Sequence, residues 1–465
     1  MQRTLIKDIK DKVGETVLLS GWVDIRRDHS KLIFIDLRDA SGKVQMVVLP
    51  NHEEAHQAGS KVRTEWVIEV EGIVNKRPEK MINAEQPLGE VEIEVVKVKI
   101  LNEAETPPFA IDGDGYDVGE EHRLEYRYID LRRERMQKNL RLRHKVIKFI
   151  RDYLSDKDFT EIETPLLTKS TPEGARDYIV PSRLEIGKFY ALPQAPQQYK
   201  QILMASAMEK YFQIAKCLRD EDTRGDRQPE FTQVDIEASF VTNEDIMSLI
   251  ENLIIEVVEK LYPEKKIQEK PFPRISYKEV MEKYGNDRPD IRKDKDNPNL
   301  LAFLWVVDFP FFEKTDSGKW TFTHNPFSAP QVEYQKMFMN KEKIDEILSD
   351  QYDIVLNGSE IGGGSIRSHK SEMLKNTLEI IGIGEDEIRR DFGHMLKALS
   401  SGAPPHGGIA LGFDRFFSIL QGEPNIREVI AFPKTGDGRE LMTGAPGEVP
   451  QSQLDELSIE IKKKK

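Results

Sequence analysis

The sequence predicts an α+β protein in two parts. A small all-β barrel occupies residues 1–103. A larger domain, an antiparallel sheet flanked by helices, occupies residues 132–465. Three observations predict this. Five β-type runs crowd into the first hundred residues. Thr106-Pro-Pro108 and Asp112-Gly-Asp-Gly115 then break regular structure, so residues 104–131 read as a hinge or linker. Beyond it, helical-period stretches interleave with alternating strands and no internal repeat appears.

Composition narrows the classes. With 38% apolar and 32% charged residues, the chain reads as globular. No apolar run approaches the ~20 residues that cross a bilayer, so no membrane partner is expected. Met1 to Asp8 has no signal-peptide core, and the expected location is the cytoplasm. The single cysteine, Cys217, excludes an internal disulfide framework and a multi-cysteine zinc site. A net charge of −13 argues against coating nucleic acid by bulk electrostatics, though not against local basic patches.

In the first part the strands are Thr16–Val23, Leu32–Asp39, Val44–Leu49, Glu65–Val74 and Val91–Ile100. Alternation slips at Val95-Val96, which predicts a bulge. Glu53–Lys61 reads as a helix between the third and fourth strands. Five short strands with one helical interruption fit an OB-type barrel, which binds single strands by aromatic stacking and basic side chains. Arg26, Arg27, Phe34 and Gln45 fall on the first three strands or their connections. Phe34 lies between Ile33 and Ile35, so core packing is the simpler reading of that residue alone.

In the second part a helix follows from about Arg132, with Met136, Leu140, Val146, Ile150 and Leu154 at helical spacing. Phe159–Leu167 alternates up to Pro165, and 171–177 is a turn-rich loop and a candidate lid. A helix beginning near Gln197 puts Gln197 and Lys200 on its first turn. Tyr211–Leu218 and Phe231–Phe240 read as a hairpin around a run of both charge signs, with Gly225 permitting a reversal. Alone, that run reads as a solvated tip. An amphipathic helix at 242–261, a polar stretch at 274–300 and a strand at Leu304–Pro310 follow. Tyr352–Arg367 reads as two strands around Asn357-Gly358, with Gly362-Gly-Gly364 marking close backbone approach or a bulge. Gly407–Leu420 passes from an apolar strand into a helix at Asp414. No P-loop is present.

Three short segments occur in order: Glu161-Ile-Glu-Thr-Pro165, Arg219-Asp-Glu221 leading to Phe231, and Gly412-Phe-Asp-Arg415. They resemble motifs 1, 2 and 3 of the class II aminoacyl-tRNA synthetases. Together with an OB-type barrel they point to the Asp, Asn and Lys subgroup. Thr171–Asp177, Asp226–Gln233, Gly362–Ser365, Ala403–Ala410 and Val429–Thr435 are similar to bacterial-type aspartyl-tRNA synthetases, and the resemblance covers nearly the whole chain.

The resemblance implies an aspartate–tRNA ligase that uses ATP, L-aspartate and tRNA-Asp, and a homodimer built on motif 1. Arg219 and Arg415 would be the catalytic cations, Arg219 holding the α-phosphate and the aspartate carboxylate. Asp220, Glu221, Gln228, Phe231, Glu360, Gly412, Phe413 and Asp414 would complete the ATP site. Phe231 would stack one face of adenine and Arg415 the other. Asp353 and Glu360 would hold Mg²⁺. Glu173, Gln197, Lys200, His324 and Arg367 would bind aspartate. Asparagine would leave the cations Lys200 and Arg367 uncompensated. Arg26, Arg27, Phe34, Gln45 and Glu79 would read the anticodon, and Thr223, Arg224, Gly225 and Asp226 would meet the acceptor end.

The chain departs from that pattern in places. Tyr284–Arg292 runs within a dozen residues into Leu304–Asp308, so the family's insertion domain is expected to be absent near 290–304. The family's His-His-Pro-Phe reads His324-Asn-Pro-Phe327, and its Ser-Pro-Gln reads Ala195-Pro-Gln197. His29 favours charging of tRNA-Asn as well, and Lys80 opposes it. A non-catalytic RNA-binding paralogue and a tRNA-independent amino-acid-activating enzyme are the other readings.

Overall fold

Alternation in the first hundred residues closes on itself. In the computed structural model, which describes residues 1–84, 87–170 and 174–462, five strands form a closed barrel in the order β1-β2-β3-β5-β4. They are β1 (Thr16–His29), β2 (Leu32–Arg38), β3 (Lys43–Val48), β4 (Val67–Lys76) and β5 (Val91–Asn102). Every second residue points inward, so Leu19, Val23, Ile33, Ile35, Met46, Val70 and Ile93 fill the barrel. Closure leaves no free sheet edge. β1 outruns its apolar part, because Ile25–His29 continue pairing with β2 after a register shift. On β4 the partner jumps from Lys97 to Val95 between Glu71 and Gly72, so Val96 is the extra residue of the expected bulge.

The chain divides into Met1–Ala110 and Ile111–Lys465. Residues 111–131, expected as linker, therefore belong to the larger unit. Their buried charges, Arg123, Arg127 and Asp130, are paired. Short helices span Glu120–Glu125 and Arg127–Asp130. From them Arg123 donates to both Glu428 oxygens at 3.1 and 2.8 Å, and Arg127 to the carbonyls of Arg427, Ile430 and Ala431.

The larger unit is built on an eight-stranded sheet. Its strands are β6 (Thr160–Glu161), β7 (Lys210–Leu218), β8 (Glu230–Ser239), β9 (Arg274–Ser276), β10 (Phe303–Val307), β11 (Gln351–Leu356), β12 (Ser359–Ile366) and β13 (His406–Gly412). Their order is β9-β10-β11-β12-β13-β8-β7-β6. The interior is antiparallel as expected, but the two outermost pairs, β6/β7 and β9/β10, are parallel, so the sheet is mixed. β6 is two residues long, shorter than its alternation suggests. The polar stretch at 274–300 contains an unexpected helix, Tyr277–Tyr284, started by the Ser276 side chain and anchored by buried Val280.

Helices Glu134–Ser155 and Asn243–Leu261 cover one sheet face, packing Ile150, Ile254 and Val257 against Val234, Ile236 and Leu411. The second helix opens with a capping box between Thr242 and Asp245. β11 and β12 turn at Asn357-Gly358, both at positive φ, as a two-residue hairpin requires. Gly362-Gly-Gly364 serves both purposes read from it. A register shift leaves Ile361 bulged, and a Cβ on Gly364 would lie 2.2 Å from the Gly408 carbonyl oxygen. Among the described residues no helix is long and apolar enough to cross a membrane.

Candidate active site

The two faces of β8 separate the core from the site. Val234, Ile236 and Ala238 face the helices. Period two sends Phe231, Gln233, Asp235 and Glu237 to the other face, beside a cavity of about 400 Å³. Lys200, from the first turn of helix Gln197–Ala205, places Nζ 2.7 Å from Asp235 Oδ1 and 3.2 Å from Glu237 Oε2. Arg367, just past β12, donates to both Glu237 oxygens at 3.0 and 3.2 Å. None of the four is more than 1% exposed.

This corrects one expectation. Lys200 and Arg367 are not uncompensated, because ions this deep persist only when paired. Burial raises the Asp235 pKa, with Lys200 opposing it. For Glu237 burial pushes the same way, but Arg367 and Lys200 outweigh it and hold the pKa below the usual value. His324 stands at the cavity wall, its ring reachable by solvent. Its depth in the protein, then Arg367, Arg219 and Lys200, bring its pKa down to about 4, so it is neutral at pH 7.

Arg219 completes the cationic group. Its guanidinium carbon lies 5.2 Å from the centroid of the Phe231 ring, and its Nε donates to the Gln194 carbonyl at 3.4 Å. Arg219 thus covers Phe231. Arg415 bridges the Glu360 carbonyl and the Asp226 carboxylate, the latter at 3.1 Å. Among the described residues, Arg415 Nε and Gln197 Nε2 are buried donors without an acceptor on side chains that line the cavity, and buried donors of this kind call for a partner.

Glu221, Gln228, Glu360, Gly412 and Asp414 also line the cavity. Glu221 is held by Arg227 at 3.4 Å, and Gln228 accepts from the Lys434 amide at 2.8 Å. Asp414 accepts from Arg143 and from the Thr232 amide, so its oxygens are committed to the fold. Phe413 is fully buried and stacks on Phe417, on the helix side of the sheet. Asp220 lies outside the cavity beside Arg176. Glu173 is outside the described residues.

Of the four acceptor-end residues only Asp226 lines the cavity. The other three form a tip that is fastened as well as exposed. The Thr223 hydroxyl donates to the Gly436 carbonyl, while the Arg224 and Gly225 carbonyls accept from Arg427 and the Ile426 amide. Gly225 does not have a left-handed φ, so it is not a conformational requirement.

Asp353 and Glu360 lie on paired strands. Burial, then Glu360, holds the Asp353 carboxyl well above the usual range, and Gln351 donates to it. Asp353 is buried and Glu360, half-buried, lines the cavity; an acid pair of this kind suits a divalent cation. Among the described residues no three His, Cys, Asp or Glu side chains cluster as a self-sufficient metal site. That fits a cation completed by phosphate and water.

On the barrel, Phe34 is half-buried while Ile33 and Ile35 point inward, so the core reading of Phe34 fails. It pairs across to Arg27, and Asp36 pairs to Gln45, putting the four side chains on one outer face. Arg27 donates to both Asp36 oxygens at 3.0 Å, and Gln45 to Glu92 at 3.3 Å. Arg26 is turned to Asp28 and the Ser60 carbonyl, and Glu79 is exposed on a short 3-10 turn. His29 and Lys80 are exposed.

The sequence reading passed over Asp235, Glu237, Arg227, Arg288 and Asp36. Asp235 and Glu237 did leave a signal: two carboxylates at period two inside an apolar strand need buried cations. Arg288 left none, since it sits in a polar loop.

Residues 119–436 match the family described as tRNA synthetases class II (D, K and N), and residues 17–101 match an OB-fold nucleic acid binding domain. The chain is 40% identical to the aspartate–tRNA(Asp/Asn) ligase of Rubrobacter xylanophilus, over 97% of this chain and 95% of the relative. It is 39% identical to the aspartate–tRNA ligase of Staphylococcus saprophyticus, over 97% of each. The first alignment runs over 573 positions, 108 more than the 465 residues of the chain, so this relative carries residues with no counterpart here. Among solved structures, the asparaginyl-tRNA synthetase of Pyrococcus horikoshii superposes with a TM-score of 0.75 at 22% identity, covering 94% of this chain and 98% of that one. The aspartyl-tRNA synthetase of Entamoeba histolytica superposes with 0.72 at 22% identity, covering 93% and 91%. Motif order, barrel, sheet and relatives agree, and the chain belongs to the class II aminoacyl-tRNA synthetases of the Asp, Lys and Asn group, in the aspartate–tRNA ligase family.

Proposed function

We propose that this chain activates L-aspartate with ATP and transfers it to the 3′ end of tRNA-Asp. One observation carries the choice of amino acid. Beside the cavity, three cations (Lys200, Arg219 and Arg367) face two carboxylates (Asp235 and Glu237), and His324 is neutral. These five groups therefore carry one surplus positive charge. Aspartate, with two carboxylates and one ammonium, brings the matching negative charge. Asparagine brings none, so it leaves a cation unbalanced in a site of low dielectric.

The protein needs no nucleophile of its own. An oxygen of the aspartate α-carboxylate attacks the α-phosphorus of ATP, the bond to the leaving phosphate breaks, and pyrophosphate departs. The terminal ribose hydroxyl of the tRNA then attacks the aspartyl carbonyl and AMP leaves. Arg219 is positioned to hold charge developing at the first step, and Arg415 is free to turn to nucleotide once Asp226 lets go. Gln197 Nε2 offers its unused donor to the amino acid. Asp353 and Glu360 would hold Mg²⁺, which supplies neutralisation of the phosphate charges when bound.

On the barrel, Arg27, Phe34 and Gln45 are proposed to take the anticodon, by stacking on Phe34 and amide hydrogen bonds from Gln45. Leu166, Leu167, Ile179, Leu184 and Phe189 are exposed just after the motif 1 strand. An apolar surface of this kind supports a homodimer. The excess of 108 alignment positions over the length of the chain supports the loss of an insertion, which we assign to the neighbourhood of residues 290–304.

Purified protein with Mg²⁺, ATP and aspartate should catalyse pyrophosphate exchange, and asparagine should not replace aspartate. Arg219→Ala should lower exchange by about 10²-fold or more. The relatives' names differ over tRNA-Asn, so charging is measured with both tRNAs. Charging of neither would overturn the proposal.

A further inference from the structure

We propose that Arg288 is a further active-site residue, binding the β- and γ-phosphates of ATP and the pyrophosphate that leaves. The inference rests on the ATP-dependent activation proposed above.

Five arginines line the cavity: Arg219, Arg227, Arg288, Arg367 and Arg415. Four are engaged. Arg219 lies over Phe231, Arg227 pairs with Glu221, Arg367 with Glu237, and Arg415 with Asp226. The guanidinium of Arg288 makes no hydrogen bond or ion pair within the described residues, although it faces the same cavity. Most unpaired arginines are solvated surface groups. This one differs in where its loop is anchored.

Residues 285–292 are held on both sides of Arg288. The Asn286 side chain accepts from the Arg288 amide at 3.0 Å and donates to the Tyr284 carbonyl at 3.1 Å. Asp290 grips Arg292 with both oxygens and also accepts from its amide. The same Asp290 packs against the β11–β12 turn, where a Cβ on Gly358 would lie 3.2 Å from the Asp290 Cβ. That hairpin carries Asp353 and Glu360. The loop that presents Arg288 is thus anchored to the hairpin of Asp353 and Glu360, at the Glu360 end of the cavity.

The chemistry of that end calls for a cation. One divalent ion leaves a triphosphate with excess negative charge, and the excess grows on the β- and γ-oxygens as the α-phosphorus bond breaks. A planar guanidinium meets two phosphate oxygens at once, which an ammonium cannot do.

The test uses Arg288→Ala and Arg288→Lys in the full-length chain. Folding should be unchanged, because the side chain supports nothing. In pyrophosphate exchange, Arg288→Ala should raise KM for ATP and for pyrophosphate about tenfold or more. Arg288→Lys should recover part of this. KM for aspartate should not move, and AMP should bind both variants as it binds the unaltered protein. Unchanged KM values for ATP and pyrophosphate, with only transfer to tRNA slowed, would place Arg288 on tRNA phosphate and overturn the proposal. No change in any of these would make it a surface residue and overturn it equally. If the unaltered protein showed no aspartate-dependent exchange, the activation reading itself would fall. Calorimetric titration with ATP and AMP would then still decide whether Arg288 recognises the outer phosphates.

Discussion

Glu237 shows how one residue joins fold and specificity. It lies between Lys200 and Arg367 on a central strand, with no exposure to solvent. Glu237→Gln keeps the shape and removes the charge, leaving two buried cations with Asp235 alone. Breaking such a pair costs about 3 kcal/mol or more. The urea midpoint at pH 7 should fall accordingly. An unchanged midpoint would mean that the buried ions are relaxed or hydrated. The position also explains why Gly408 has no side chain, since a Cβ there would lie 2.1 Å from Glu237 Oε2. On the proposed reading, selectivity for a dicarboxylic amino acid is a matter of charge balance, and the strand on which that balance rests is part of the core.

Among elements, the two short helices at Glu120–Glu125 and Arg127–Asp130 carry the clearest pH response. Glu428 is buried, which alone would raise its pKa, but Arg123 and Arg135 overcome this and bring it down to about 2 from an ordinary 4.5. A depressed acid contributes stability that is present above pH 4.5 and lost as pH falls from 4.5 toward 2. The loss amounts to about 3 kcal/mol. Denaturant titrations between pH 7 and 3 should show this slope, and Glu428→Gln should flatten it while lowering stability at pH 7. The same segment marks the limit of sequence reading. Its glycines and prolines correctly signalled a break at 104–115, but the paired charges after it look like solvated ones until a partner 300 residues away is known. Strand positions were legible throughout the barrel and at β7, β8, β11, β12 and β13, because alternation and turn residues are local. Parallel pairing of β6 and β9 was not, since it depends on neighbours remote in sequence. In the site, motif residues were visible through resemblance. Asp235 and Glu237 needed the fold to show which cations they meet, and Phe34 needed it to show which face it takes.

Across the whole molecule, the barrel closes its own hydrogen-bonding ring and has its own apolar interior. Residues 1–110 expressed alone should therefore fold, giving dispersed amide resonances and one cooperative unfolding transition. A collapsed, poorly dispersed spectrum would show that the barrel needs the rest of the chain. The larger unit offers a different handle. Cys217, the only cysteine in the chain, sits on β7 opposite Phe231, fully buried and donating to Gln233 Oε1 at 3.1 Å. Burial pushes its thiol up to about 12, with Arg219 pulling the other way. An alkylating reagent meets almost no thiolate in the closed state, so labelling proceeds only through molecules in which β7 and β8 have separated. The rate of a single covalent modification thus counts the rare open population of the central sheet, and the chain carries that chemical handle where no engineered one would be needed.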